Sequence, residues 1–182
     1  MTRIARLLIL ASMTATFSAI PAAAQAINID YDHSINFEKL KTYTWGKIHA
    51  TDPSVENRIT IAVNRTMAGR YMTQASSNAD VTITAVEASA EPKEFTDFYN
   101  SLGDFMWKRP WGTSGFMDSS ATLETIPLHT LVIDMYDTKS YKLLWRGTIT
   151  LPAGDATGKE ADQKFDKAVT QLIGKYPPKF KK

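Results

Sequence analysis

Within five residues, Trp107, Lys108, Arg109, Pro110 and Trp111 combine two indoles with two cations. Indole faces stack on sugars, on cations and on the apolar surface of a partner, and a guanidinium beside them adds directional hydrogen bonds. With the preceding ring included, Phe105, Trp107, Arg109 and Trp111 are the candidate binding residues of the chain. The competing reading is that these aromatics cover an open sheet face, since a neutral domain with a one-sided sheet has apolar surface to hide. Asp134 and Arg146 are a second pair that could do chemistry, as an acid–base couple. On the two strands of a hairpin they also fit a cross-strand ion pair, one diagonal step apart on an exposed sheet face. Such a pair is worth only about 0 to 1 kcal/mol.

The three histidines, His33, His49 and His129, fall in or beside expected loops, and none stands at a ligand spacing such as i, i+4 on a helix. Asp30, Asp32 and His33 cluster, but the two aspartates alternate on the polar side of a strand and suit solvent equally well. No glycine-framed serine, phosphate loop or dinucleotide fingerprint occurs. The sequence therefore assigns no catalytic residue, no metal ligand and no cofactor. The first functional reading is a non-catalytic interaction or structural module whose partner is a protein or surface component of the cell envelope. A small-ligand or glycan-binding domain using the aromatic stretch comes second, and an enzyme third.

The envelope address comes from the first 26 residues of the 182, which read as a signal peptide. Arg3 and Arg6 make a basic start, Leu7 to Ile20 an apolar core shorter than the roughly 20 residues of a membrane span, and Ala24-Gln25-Ala26 a cleavage site. Residues 27–182 are then expected to form a single α+β domain, periplasmic or secreted. Removing the leader takes away two of the 21 basic residues and none of the 19 acidic ones, which leaves a formally neutral chain. Neutrality gives no field to draw in nucleic acid, whose binding rests on neutralising phosphates. With no cysteine there is no thiol chemistry, no disulfide and no lipid anchor on an N-terminal cysteine. No later apolar run is long enough to span a membrane.

These residues are positioned by short elements. From His129 to Leu151 two period-two runs form a hairpin: Leu131, Ile133 and Met135 alternate with polar neighbours save Val132, as do Leu143, Trp145, Ile149 and Leu151 save Leu144. Both strands bury odd-numbered residues, so the connection must have odd length; Thr138-Lys139-Ser140 fits and sets Met135 against Leu143 and Ile133 against Trp145. Further strands are expected over Ile27 to Tyr31, Thr42 to Trp45, Asp80 to Ala85 and Ser119 to Thr125. Asp52-Pro53 starts a helix with a stripe of Val55, Ile59, Ala62, Val63 and Met67, closed by Gly69 as a left-handed cap. Gln74 to Ala79 reads as polar loop. Ala161, Phe165, Ala168, Val169, Leu172, Ile173 and Tyr176 mark a second helix, ended by Pro177-Pro178. Glu91 to Gly115 holds no period and reads as a long aromatic, Gly- and Pro-punctuated loop. The fold class is α+β: a mostly antiparallel sheet of about six strands with two helices packed on one face.

With the elements in order, TLVIDMYDTKSYKLLWRGT from Thr130 to Thr148 resembles the signature of the bacterial envelope family named domain of unknown function 4136. The opening IDYDHSINFEKLKTYTWG, from Ile29 to Gly46, is similar to that family's acidic-aromatic first strand and its lysine-threonine-tyrosine-x-tryptophan run. The helix at Asp52, the aromatic middle and the terminal helix closing on Tyr176-Pro177-Pro178 match in order. The resemblance covers essentially all of residues 27–182 and implies an exported α+β domain whose biochemical activity is not established for the family. Many members carry a lipid-bearing cysteine that this chain lacks, and His129 stands where the family usually has glycine.

Overall fold

The hairpin is the centre of the molecule, although its register differs from the expected one. The computed structural model describes residues 27–50, 52–88, 93–102, 130–150 and 158–177. In it β5 (Thr130–Asp137) and β6 (Leu143–Thr150) pair so that Met135 faces Trp145, Ile133 faces Gly147 and Asp134 faces Arg146 directly. The odd faces coincide as expected, but the pairing is shifted by two residues. The turn is the cause. The Asp137 amide donates to the Lys142 carbonyl, Ser140 donates through its amide and hydroxyl to Asp137 Oδ1, and Tyr141 takes a left-handed φ of 56°. A bulge between Met135 and Tyr136 then restores parity and turns Leu144, not Leu143, into the main core.

Around this hairpin β1 (Ile27–Tyr31) pairs with the outer edge of β6, and β4 (Val81–Ala88) pairs antiparallel with β5. Next to β4 lies β2 (Thr42–His49), in parallel, and beyond it the two-residue β3 (Thr73–Gln74), also parallel. The sheet order is β1-β6-β5-β4-β2-β3, so the sheet is mixed rather than mostly antiparallel. The reason is a crossover. Between β2 and β4 runs α1 (Pro53–Ala68), and a strand that returns parallel needs a connection of about that length. Gln74, expected in loop, belongs to β3, where the Thr73 and Ala75 amides donate to the Lys41 and Tyr43 carbonyls. The strand expected over Ser119 to Thr125 lies outside the described residues.

Asp52 caps α1 as its sequence predicts, accepting from the Ser54 amide at 2.7 Å ahead of Pro53. Ile59, Ala62, Val63 and Met67 are its buried stripe. Its other end departs from expectation: Gly69 is right-handed, and Tyr71, at φ 61°, takes the left-handed position instead. The Met72 amide reaches back to the Met67 carbonyl and the Tyr71 amide to Ala68, the bond pair of a Schellman closure with tyrosine where glycine is usual.

The terminal helix α3 (Lys159–Ile173) buries Ala168, Val169, Leu172 and Ile173 beside α1, on the face made by Val81, Ile83, Leu131, Ile133, Met135 and Trp145. Arg58 of α1 pairs with Asp162 and Asp166 of α3 and lies over the Phe165 ring. These two helices share one face, as expected. The opposite face carries a third, α2 (Lys93–Ser101), inside the stretch read as loop from Glu91. Phe95, Phe98 and Tyr99 of α2 pack on Val86 and Val132 as a second, smaller core. Among the described residues no helix is long and apolar enough to cross a membrane.

Candidate functional site

The face under α2 mixes the apolar Val86 and Val132 with polar side chains, and a buried charge sits in it. Asp134 Oδ1 accepts from Arg146 Nε at 2.6 Å, and Oδ2 accepts from an Arg146 terminal nitrogen at 2.6 Å. The same Oδ2 accepts the hydroxyls of Tyr99 at 2.9 Å and Tyr136 at 3.1 Å. The guanidinium carbon lies 5.4 Å from the centre of the Tyr99 ring. The Asp134 side chain is 1 % exposed and that of Arg146 11 %.

This geometry corrects the expected exposed, diagonal pair in both respects. The two-residue shift of register brings the partners opposite one another, and α2 shuts water out. A bidentate fork between buried partners differs in kind from a surface ion pair: removing one member leaves an uncompensated buried charge, at about 3 to 5 kcal/mol. Burial pushes the Tyr99 hydroxyl well above its ordinary value, and Asp134, as charge and as hydrogen-bond acceptor, pushes it further against the pull of Arg146. Tyr136 is raised by burial and by the same carboxylate. Burial opposes the Arg146 charge, but Asp134 overrides it and holds the guanidinium cationic. The tyrosines are therefore neutral donors, and both carboxylate oxygens are occupied. What the cluster does is fasten α2, through Tyr99, to β5 and β6. Lys47 of β2 adds a tie by donating to Ser101 Oγ.

Thr84 and Thr148, on the same face, have buried hydroxyls with no partner among the described residues. Asp32 accepts from Ser34 and Lys142 at the end of β1, and the His33 ring lies tilted against that of Tyr31 with centres 4.3 Å apart, so the Asp30, Asp32 and His33 grouping is dispersed into separate contacts. Among the described residues no three His, Asp or Glu side chains gather as metal ligands would. Phe105, Trp107, Arg109 and Trp111 lie outside the described residues, as does His129. Sequence reasoning missed Tyr99 and the burial of Asp134, though Phe95, Phe98 and Tyr99 stand at the three-four spacing that marks a helix face.

A second arrangement of polar side chains sits at the α1–β2 junction. Asn64 Oδ1 accepts both the Tyr43 hydroxyl and the Trp45 indole N–H at 2.9 Å. That accounts for the lysine-threonine-tyrosine-x-tryptophan run, whose two rings share one anchor on the crossover helix.

Residues 27–178 match the family model described as Domain of unknown function (DUF4136). The curated proteins include no match to this chain. Among solved structures, a DUF4136 family protein from Bacteroides thetaiotaomicron VPI-5482 aligns with a TM-score of 0.53 at 16% identity, over 84% of this chain and 96% of that one. A PDZ domain protein from Parabacteroides distasonis ATCC 8503 aligns with a TM-score of 0.54 at 12% identity, over 85% of this chain but only 36% of that longer one. At these identities the likeness is one of fold alone.

Proposed function

The chain belongs to the DUF4136 family, and from that membership we propose that it is an exported envelope protein acting as a non-catalytic interaction or structural module. The observation that carries this reading is the saturation of the Asp134 cluster. Its carboxylate is the most deeply buried charge on the second face, yet both oxygens are spent on Arg146, Tyr99 and Tyr136. A general base needs a free lone pair within reach of a substrate proton. This one holds a helix instead.

The contact we assign to the partner is the stretch containing Phe105, Trp107, Arg109 and Trp111. It follows α2 directly in sequence, and α2 is clamped to the sheet by Tyr99, so a rigid support lies within a few residues of those side chains. Indole and guanidinium groups are the types that dominate interface energetics. The protein reaches its partner in the periplasm, or outside the cell, after cleavage near Ala26, and carries no acyl chain because it has no cysteine.

A photo-crosslinking residue placed in turn at positions 105, 107, 109 and 111 of the protein in its native envelope tests this. One recurrent partner band, absent when the probe is moved to the exposed α3 residue Gln163, is the expected result. Bands no stronger than at Gln163 would remove the assignment. Deleting Glu91 to Gly115 would be a poor test, since it removes Tyr99 and with it the fastening of the second face.

A further inference from the structure

Tyr71 combines two unfavourable choices at one position. Its backbone is left-handed, where a residue with a Cβ is strained and glycine is not, and its side chain is 88% exposed. Neither helix closure nor core packing asks for tyrosine there: glycine would close α1 with less strain, and the ring buries almost nothing. A strained residue that the fold does not need points to use by a ligand.

The ring borders an open groove of about 580 Å³ between the end of α1 and the sheet edge at β3. That volume lies within the roughly 300 to 1,000 Å³ of small-molecule clefts. Ala68 and Met72 supply apolar wall, and Asn64, Thr73 and Gln74 supply polar groups. Among the described residues every lining residue is uncharged, and the neighbouring Arg70 donates to the Gly174 carbonyl. Because Asn64 Oδ1 already accepts from Tyr43 and Trp45, what Asn64 offers a ligand is its amide N–H pair. Gln74, paired with the core-facing Tyr43 and exposed, adds a second amide on the same side of the sheet.

An exposed aromatic face, neutral hydrogen-bonding side chains and no charge suit an uncharged ring that has apolar C–H faces and a rim of hydroxyls. We propose that this groove binds a neutral glycan, with one pyranose ring stacked on Tyr71 and its hydroxyls hydrogen-bonded by Asn64 and Gln74. The absence of a cation among the described lining residues favours an uncharged ligand over phosphate or carboxylate, which arginine or lysine would be needed to hold. The site uses none of the residues assigned to a protein partner, so the two proposals stand or fall independently.

Amide NMR titration of the intact protein with glucose, maltotetraose and chitotetraose at millimolar concentration is the test. Shifts confined to residues 71–74 and Asn64 are expected with at least one tetrasaccharide. They should weaken about tenfold in Tyr71→Gly and persist in Tyr71→Trp. Tyr71→Gly should melt no lower than the parent, because glycine relaxes the left-handed turn, so lost binding cannot be ascribed to lost fold. A response to glucose as strong as to the tetrasaccharides would identify free sugar, not a polymer chain, as the ligand. Silence at Tyr71 to Gln74 with all three sugars, or equal shifts in Tyr71→Gly, would overturn the proposal.

Discussion

The indole of Trp145 lies across Gly147, two residues along the same strand, and leaves no room there for a side chain. A methyl group at position 147 would collide with the indole ring and come within 2.8 Å of Leu172 Cδ1 on α3. The glycine thus lets a fully buried tryptophan lie flat between β6 and the terminal helix. Tyr176 meets the same indole edge-on, with ring centres 5.9 Å apart.

Two substitutions follow from that contact. Trp145→Ala removes the largest fully buried side chain among the described residues and should cost about 3 to 5 kcal/mol, a large part of a typical total of about 5 to 15. Gly147→Ala forces the overlap and should cost about 1 to 3 kcal/mol despite adding a single carbon. Urea midpoints measure both, and a Trp145 variant as stable as the parent would refute its place at the centre.

How far these relationships could be read beforehand depends on period. The stripe of α1, the stripe of α3 and the odd-numbered faces of β5 and β6 were legible because each buries one side, and one buried side leaves a period in the sequence. Gly147 stands in the sequence as a gap in an otherwise bulky strand. The burial of Asp134 was not legible. On a strand whose even positions read threonine, valine, aspartate and tyrosine, three of the four suit solvent, and only a helix that begins 41 residues earlier, at Lys93, turns them inward. Nine residues with Pro92 before them and Gly103 after were too few to stand out as that helix. Tyr71 was hidden for another reason: Gly69, two positions earlier, satisfied the usual rule for a helix end, so nothing asked for a left-handed tyrosine. The parallel half of the sheet was missed because a single β2–α1–β4 crossover makes no alternation to detect.

The buried cluster predicts strong coupling between its members. Asp134→Leu and Arg146→Leu should each cost about 3 to 5 kcal/mol, since each leaves the other charge buried and unpaired. The double variant should cost markedly less than the two together, because the orphaned charge is gone. Tyr99→Phe, which leaves Asp134 with Arg146 and Tyr136, should cost only about 1 kcal/mol. Strictly additive losses in a double-mutant cycle would mean that the pair does not act as one unit.

Stability also separates the two roles open to the aromatic stretch. If Trp107 and Trp111 contact a partner, Trp107→Ala and Trp111→Ala should each cost under about 1 kcal/mol in the isolated protein. If they cover the sheet, the loss should approach that of Trp145→Ala. Urea midpoints for these variants beside Trp145→Ala decide, and loop variants as damaged as the core variant would remove the case for a binding surface.

Alkaline pH addresses the second face from another side. Tyr99 and Tyr136 are both raised well above their ordinary value of 10.0, so the folded state holds their protons more tightly than the unfolded chain does. The sign follows from linkage: their contribution is fully present below the unfolded value, and it is lost as pH rises past about 10 toward the folded values. Stability should therefore be little affected by these groups near neutrality and fall beyond about pH 10. The Tyr99→Phe, Tyr136→Phe double variant has no hydroxyls to ionise there. It should begin less stable, having lost two donors to Asp134, and then decline with a shallower slope, so that the parent's advantage shrinks as pH rises. Urea midpoints taken in steps through that range, parent beside variant, test the argument. Parallel curves would show that the alkaline loss arises from ionisation elsewhere and that these two hydroxyls are not held as buried neutral donors.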